Sequence, residues 1–147
     1  MVEGIAATMT ERFVPIGPAC IVLTPVHYNW TMTDSLELFA CIAVSDHGRA
    51  VPWYEALLGP VTFEAHPTES VWELAEHRSI AVNEEPEHAG HARVTVFVDD
   101  LDAVVAAIAE RGLEPAERET YGNGVRKTTF RDPDGNEIGF GGAPLEA

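Results

Sequence analysis

The feature that most constrains the fold is a strand, helix and turn pattern that occurs twice in the chain. In the first copy an apolar run typical of a strand is followed by Asp46. Apolar residues at the spacing of a helix come next, and they end at Gly59. In the second copy the corresponding residues are Asp100, 54 residues after Asp46, and Gly112. Ser45 or Asp46 can cap the first helix and Asp99-Asp100 the second, and Gly after an apolar stripe is a signal for the end of a helix. The repeat therefore indicates one supersecondary unit used twice.

Each copy continues into three short strand candidates, so the pattern predicts the order β-α-β-β-β twice. The helices are predicted near residues 50–58 and 101–112, and Pro52 is compatible with the first of them only in the first turn. The predicted strands are 39–44, 61–65, 71–76, 79–83, 93–98, 116–119, 125–131 and 137–140.

Turn-forming residues at 132–136 join the last two strands, because Asp, Pro, Gly and Asn all favour tight turns. We expect an α+β domain over residues 33–143, with modules at about 37–85 and 91–142.

Residues 1–31 differ from the rest of the chain. Pro15, Pro18 and Pro25 interrupt them, and no spacing typical of a helix or a strand is sustained. Met32 then stands just before the first regular pattern, like a second natural start. We expect residues 1–31 to be an N-terminal extension with little role in the fold.

The charge and the cysteine content exclude several classes of partner. Only 9 Lys and Arg stand against 24 Asp and Glu, for a formal charge of −15, so nucleic acids and anionic membranes are poor partners. Cys20 and Cys41 are too few for a disulfide framework or a thiolate metal site, and we expect free, buried thiols. With no apolar run of membrane-spanning length and no secretion signal, we expect a cytoplasmic protein.

Strand alternation sorts the residues of the leading strands into two faces. One face is wholly apolar and should carry the helices: Ala40, Ile42 and Val44 in the first copy, Val94, Val96 and Val98 in the second, and Ile138 and Phe140 on the last strand. The opposite face is mixed: Phe39, Cys41 and Ala43, then Arg93, Thr95 and Phe97, then Glu137. A mixed concave face with a few polar groups is typical of a small-molecule pocket.

Several segments resemble the vicinal-oxygen-chelate superfamily of glyoxalases, bleomycin-resistance proteins, fosfomycin-resistance proteins and ring-cleaving dioxygenases. They are VSD at 44–46, WYE at 53–55, LLG at 57–59, VDDLD at 98–102 and FRDPDGN at 130–136. The resemblance implies two βαβββ modules that form a cup-shaped half-barrel. It also implies a homodimer with ligand clefts at or near the interface.

Metal-using members of that superfamily hold a divalent ion with His, His and Glu on three strands. The resemblance places these positions at Phe39, Arg93 and Gly139, none of which offers a ligand atom. We therefore expect no metal and no other cofactor. One alternative is a metal site shifted by two residues, roughly 6–7 Å along the strands, onto Glu37, His91 and Glu137.

We expect seven residues to line a small-molecule site: Phe39, Cys41, Trp72, Arg93, Thr95, Phe97 and Glu137. Arg93 is either an anchor for an anionic ligand group or the ion-pair partner of Glu137. Glu137 is either a general base with a raised pKa or a paired strand residue. Trp72 is either a flat wall of the site or a core residue.

The leading interpretation is a metal-independent small-molecule-binding protein that resembles the drug-resistance proteins of the superfamily. The first alternative is a lyase, isomerase or dioxygenase-like enzyme, with the shifted metal site or with a metal-free acid–base mechanism. The second is a structural or regulatory dimer without a ligand. The expected partners are a small-molecule ligand and a second copy of the chain.

Deletion of residues 1–31 tests the expectation that they are an extension. The shortened chain should keep its circular dichroism spectrum and its cooperative urea transition, because the two predicted modules lie entirely after the deletion. A shortened chain that is unfolded would contradict the expectation.

Overall fold

The protein is described here by a computed structural model that covers residues 13–15, 21–23 and 36–145. The strands and helices in chain order are β1 Phe13–Pro15, β2 Ile21–Leu23, β3 Leu38–Val44, α1 His47–Leu58, β4 Phe63–His66, β5 Glu69–Ala75, β6 Arg78–Glu84, β7 Arg93–Phe97, α2 Leu101–Glu110, β8 Glu117–Thr120, β9 Arg126–Arg131 and β10 Glu137–Gly142. A short 3₁₀ helix, Pro86–His88, connects β6 to β7. The predicted order of elements is confirmed.

Each module forms one four-stranded mixed sheet, and the two sheets have equivalent strand orders. The first sheet has the order β3-β6-β5-β4 and the second has β7-β10-β9-β8. In each sheet the first strand of the module pairs in parallel with its last strand, and the remaining pairs are antiparallel. The helices lie between the two open sheets. The predicted α+β class with two βαβββ modules is confirmed.

The core lies between the helix faces of the two sheets and is continuous across the modules. The predicted inner residues of β3, β7 and β10 all belong to it: Ala40, Ile42, Val44, Val94, Val96, Val98, Ile138 and Phe140. Helix α1 contributes Tyr54 and Leu57, and α2 contributes Val105 and Ile108. One shared core means that neither sheet buries its apolar face without the other module.

Both predicted helix caps are present. The Asp46 side chain accepts a hydrogen bond from the Arg49 N–H at 2.9 Å, and Asp100 accepts one from the Ala103 N–H at 2.9 Å. Helix α1 begins at His47, three residues before the predicted start, so the expectation that Pro52 lies in the first turn is wrong. Pro52 lies on the exposed side of the helix, where water can hydrate the carbonyl that lacks its N–H partner.

The turn at 132–136 connects the two modules through the buried carboxylate of Asp132. This carboxylate accepts a hydrogen bond from the Tyr54 hydroxyl of α1 at 2.7 Å. It also accepts hydrogen bonds from the N–H groups of Asp134 and Asn136 at 2.9 and 2.8 Å. Burial and the Asp132 carboxylate raise the pKa of Tyr54 far above its usual range, so its hydroxyl stays a donor.

Asn136, which is fully buried, completes the same connection. Its side-chain amide donates to the carbonyl of Ala43 at 2.8 Å and to Asp132 at 2.8 Å. Its side-chain oxygen accepts the N–H of Ala92, just before β7, at 2.9 Å. One side chain thus binds the end of β3, the start of β7 and its own turn, and every polar atom of the buried amide has a partner.

Asp134 of the turn contacts two neighbouring segments, at Ser45 after β3 and at Gly90 before β7. Asp134 accepts hydrogen bonds from the N–H and the hydroxyl of Ser45, at the end of β3. Burial raises the pKa of Asp134, but the two bonds from Ser45 outweigh that effect and lower its pKa overall. Gly90 has a φ of +85°, and a Cβ there would lie 2.3 Å from the Asp134 carbonyl oxygen. Only glycine fits at this close approach.

Most of the predicted N-terminal extension lies outside the described residues. Within it the structure describes β1 and β2, which pair as a short antiparallel hairpin with Phe13 opposite Leu23. The role of residues 1–31 therefore stays a prediction.

The Tyr54 hydroxyl should contribute measurably to stability. We expect Tyr54→Phe to lower the free energy of unfolding by about 1.5–3 kcal/mol, because the buried Asp132 carboxylate loses one of its donors. Urea denaturation measures the change. Tyr121→Phe is the matched control, since Tyr121 is exposed and lies 3.4 Å from Glu119, and it should change stability by less than about 0.5 kcal/mol. Equal effects of the two substitutions would contradict this role of Tyr54.

Candidate functional site

The outer face of the second sheet, the side away from the helices, is the candidate site. Strand alternation and the pairing register put eleven residues on it: Arg93, Thr95 and Phe97 on β7, Glu137, Gly139 and Gly141 on β10, Lys127, Thr129 and Arg131 on β9, and Glu117 and Glu119 on β8. Four of the predicted site residues are brought together here: Arg93, Thr95, Phe97 and Glu137. The face combines an aromatic ring with several charged groups.

Two glycines on β10 form the floor of this face. A Cβ on Gly139 would lie 2.5 Å from Cε of Lys127 and 3.3 Å from Oγ1 of Thr95. A Cβ on Gly141 would lie 2.9 Å from Cδ2 of Phe97. The missing side chains thus let Lys127, Thr95 and Phe97 lie over the middle strand from its two neighbours.

Glu137 is held by two arginines. Its carboxylate is 3.1 Å from Nε of Arg93 and 3.1 Å from Nη2 of Arg131. The hydrogen bond from Arg131 and the charges of both arginines lower the pKa of Glu137, although partial desolvation opposes them. The two arginines therefore favour the charged, paired form of Glu137 over a general base with a raised pKa.

The predicted ion pair between Arg93 and Glu137 is confirmed, and it uses only one nitrogen of the guanidinium. The Arg93 side chain is 78% exposed. Its terminal nitrogens make no hydrogen bond to any residue that the structure describes. The pair therefore orients Arg93 on the outer face and leaves its two terminal nitrogens, with four N–H donors, exposed to solvent.

Lys127 lies on this face although it is not among the residues predicted from the sequence, and the same holds for Arg131. Lys127 lies opposite Gly141 in the register of β9 and β10 and opposite Glu119 in that of β8 and β9. Its side chain reaches over Gly139, with Nζ 3.5 Å from the position that a Cβ there would take. The sequence alone shows only that Lys127, Thr129 and Arg131 alternate with Thr128 and Phe130 along one strand. Which of these two sets faces outward becomes known only from the pairing of β9 with β10.

On the first sheet the structure separates the remaining predicted residues. Phe39 is half-buried and Cys41 is exposed, and both lie on the outer face. Cys41 is neither buried nor a free thiol, so that expectation is wrong for it, and Cys20 lies outside the described residues.

Trp72 does not line the outer face. It is 1% exposed, its ring lies 5.8 Å from the Tyr54 ring, and its Nε1 donates to the Gly59 carbonyl at 2.9 Å. Trp72 pairs with Ile80, an inner residue, so alternation puts it in the core. The interpretation of Trp72 as a wall of the site is wrong.

The positions where relatives of the superfamily would hold a metal do not fit one. Phe39 lies on the first sheet, Arg93 and Gly139 lie on the second, and the helices separate the two sheets. A phenyl ring, a guanidinium and a glycine supply no ligand atom.

The alternative, shifted metal site is not assembled either. Glu37 is bonded to Nδ1 of His77, and that bond raises the pKa of His77. Glu137 is bonded to the two arginines, and His91 is exposed. Within residues 36–145, no group of three or more His, Cys, Asp or Glu side chains is arranged to hold a metal ion.

None of the helices in the described part of the chain is long and apolar enough to cross a membrane.

Comparison with known proteins identifies the family. Residues 27–140 match the profile described as the Glyoxalase/Bleomycin resistance protein/Dioxygenase superfamily. A glyoxalase/bleomycin resistance protein from Catenulispora Acidiphila DSM 44928 is 57% identical over 75% of this chain and 100% of its own, with a TM-score of 0.72. No curated protein matches the chain.

Two proteins from Streptomyces sp. CB03234 are more distant. An antibiotic binding protein is 26% identical over 78% of this chain and 99% of its own, with a TM-score of 0.58. A glyoxalase/bleomycin resistance protein is 28% identical over 72% of this chain and 98% of its own, with a TM-score of 0.55.

The family profile covers most of the chain, and the protein from Catenulispora shares more than half of the aligned residues. The chain belongs to the Glyoxalase/Bleomycin resistance protein/Dioxygenase superfamily.

Proposed function

We propose that the protein is a metal-independent small-molecule-binding protein of the glyoxalase/bleomycin-resistance type. The observation that carries this proposal is the replacement of all three metal-ligand positions by Phe39, Arg93 and Gly139 in an otherwise complete fold. The outer face of the second sheet instead presents the 64% exposed ring of Phe97 beside cationic side chains. A flat apolar surface edged by a few polar groups suits a planar, partly apolar organic ligand.

The similarity of this chain to an antibiotic binding protein from Streptomyces sp. CB03234 supports a ligand of this kind. The state of Glu137 favours binding over acid–base catalysis, because its two arginine partners keep the carboxylate charged.

We further propose that two copies of the chain associate to complete the ligand cleft. Strands β3 and β7 each form one edge of their sheet, opposite the edge strands β4 and β8, and their outer edges pair with no other described strand. Because the helices lie between the sheets, the two outer faces of one chain point away from each other. Pairing of β3 with β7 of a second copy would join a first sheet and a second sheet into one larger concave surface.

Exposed apolar side chains support the association. Leu38, at the start of β3, is 58% exposed, and Phe97, at the end of β7, is 64% exposed. Exposed apolar groups on two free sheet edges are an unfavourable surface for a monomer in water.

The dimer is tested by light scattering after size-exclusion chromatography over a range of concentrations. The expected mass is twice that of one chain. A mass of one chain at all concentrations would contradict the dimer, and the binding proposal would then concern the outer face of a single chain.

Binding without metal is tested with the neutral fluorescent probe N-phenyl-1-naphthylamine. We expect saturable binding that is unchanged after dialysis against EDTA, because no described side-chain group needs a metal ion to form the surface. Phe97→Ala should weaken binding by about tenfold, since a stacked aromatic ring contributes about 0.5–1.5 kcal/mol beyond the area it buries. Leu74→Ala removes another exposed apolar side chain, on β5 of the first sheet, and is the matched control.

Two results would contradict the proposal. One is a stoichiometric metal in the purified protein whose removal abolishes probe binding. The other is equal binding by the wild type, Phe97→Ala and Leu74→Ala.

A further inference from the structure

We propose that Lys127 forms a subsite for the anionic group of a ligand whose flat ring lies on Phe97. The class of ligand is an aromatic or conjugated compound that carries a carboxylate, a sulfonate or an enolate. This inference rests on the proposed binding function and deepens it, because it assigns the charge of the ligand and the residue that recognises it.

The first support for the subsite is the pair of glycines on the outer face of β10. Gly139 and Gly141 are buried beneath side chains of the neighbouring strands, and both have ordinary backbone angles, so the backbone itself does not require glycine at either position. A Cβ at the first position would displace the end of the flexible Lys127 side chain, and a Cβ at the second would press against the Phe97 ring. The two glycines are two residues apart, so the ammonium and the ring lie over points about 7 Å apart.

The Thr95 hydroxyl approaches the same point as the Lys127 ammonium. Oγ1 of Thr95 is 3.3 Å and Nζ of Lys127 is 3.5 Å from the position of a Cβ on Gly139. Cε of Lys127 is 2.5 Å from that same position, so an oxyanion would lie above the strand, where the ammonium and the hydroxyl supply two donors. Aromatic acids have the matching spacing, because their acidic group lies a few ångströms from the ring centre.

The carboxylates on this face are paired mainly with arginines, which leaves the charge of Lys127 available for an anionic ligand. Glu137 is bound by Arg93 and Arg131, and Glu117 lies 3.5 Å from Arg131. The remaining carboxylate on the face is Glu119, the register partner of Lys127, whose Oε2 lies 3.4 Å from the Tyr121 hydroxyl.

Lys127 itself forms no salt bridge and no hydrogen bond with any residue from 36 to 145. Lys127 as a whole residue is half-buried, and a lysine without a bound carboxylate attracts an anion more strongly than an exposed, paired lysine does.

The internal repeat shows that this arrangement belongs to the second sheet alone. In the first sheet Ala81 takes the place of Gly139, since it pairs with Cys41 as Gly139 pairs with Thr95. Glu69 takes the place of Lys127, since it pairs with Asn83 as Lys127 pairs with Gly141. The same scaffold therefore carries a carboxylate at one of the two equivalent positions and an ammonium at the other.

A pair of probes that differ by one anionic group tests the proposal. The anionic probe is 8-anilinonaphthalene-1-sulfonate, and the neutral one is N-phenyl-1-naphthylamine, which has the same rings without the sulfonate. Lys127→Met keeps the length of the side chain and removes its charge. We expect it to weaken binding of the anionic probe about tenfold and to leave binding of the neutral probe unchanged, because one charge-assisted bond is lost.

A second variant and a control make the test independent of folding effects. Gly139→Ala retains the charge but displaces the end of the Lys127 side chain, and it should weaken binding of the anionic probe severalfold with little effect on the neutral one. Arg118→Met removes a charge from an exposed residue on the opposite face of β8 and should change neither affinity. Urea denaturation of all variants shows that each one is folded.

The outcomes separate this inference from the proposed function. If the wild type binds neither probe, the proposed function and this inference are both wrong. If it binds both probes and Lys127→Met changes neither affinity, or lowers both equally, the anionic subsite is wrong and the binding function stands. Loss of affinity for the anionic probe alone, in both Lys127→Met and Gly139→Ala, supports the subsite.

Discussion

The buried carboxylate of Asp132 is the group on which the arrangement of the two modules depends. It accepts hydrogen bonds from Tyr54 of the first module and from the N–H groups of its own turn. Asn136 extends these bonds to the ends of β3 and the approach to β7. A buried carboxylate is tolerated only when it is fully hydrogen-bonded, so the turn keeps one conformation, and that conformation determines where β10 begins and which of its residues face outward.

The candidate site follows from that register. Because Glu137 is the first residue of β10, Gly139 and Gly141 share its outward face, with Lys127 over the first glycine and Phe97 over the second. The repeat leaves the inner faces of the two sheets alike and apolar, while their outer faces differ in charge and in size of side chain. The two modules thus share one fold, and the candidate site residues Phe97, Lys127 and Glu137 all lie on the second of them.

Much of the fold was predictable, because its determinants are local. The caps at Asp46 and Asp100, the glycines that end the helices and the alternation along the strands each act within a few residues. The position of Trp72 and the role of Lys127 were not predictable. Alternation within one strand separates two faces without saying which one is inward, and the answer depends on pairing between distant strands. The Tyr54–Asp132 bond, between residues 78 positions apart, is likewise invisible to any local pattern.

The central claim is that the outer face of the second sheet binds an organic molecule without a metal ion. The most direct measurement is a titration of the EDTA-treated, ¹⁵N-labelled protein with 8-anilinonaphthalene-1-sulfonate, followed by NMR. The account predicts saturable shifts concentrated at the amides of Thr95, Phe97, Gly139 and Gly141. Shifts confined to other surfaces, or binding that appears only after a divalent metal is restored, would contradict it.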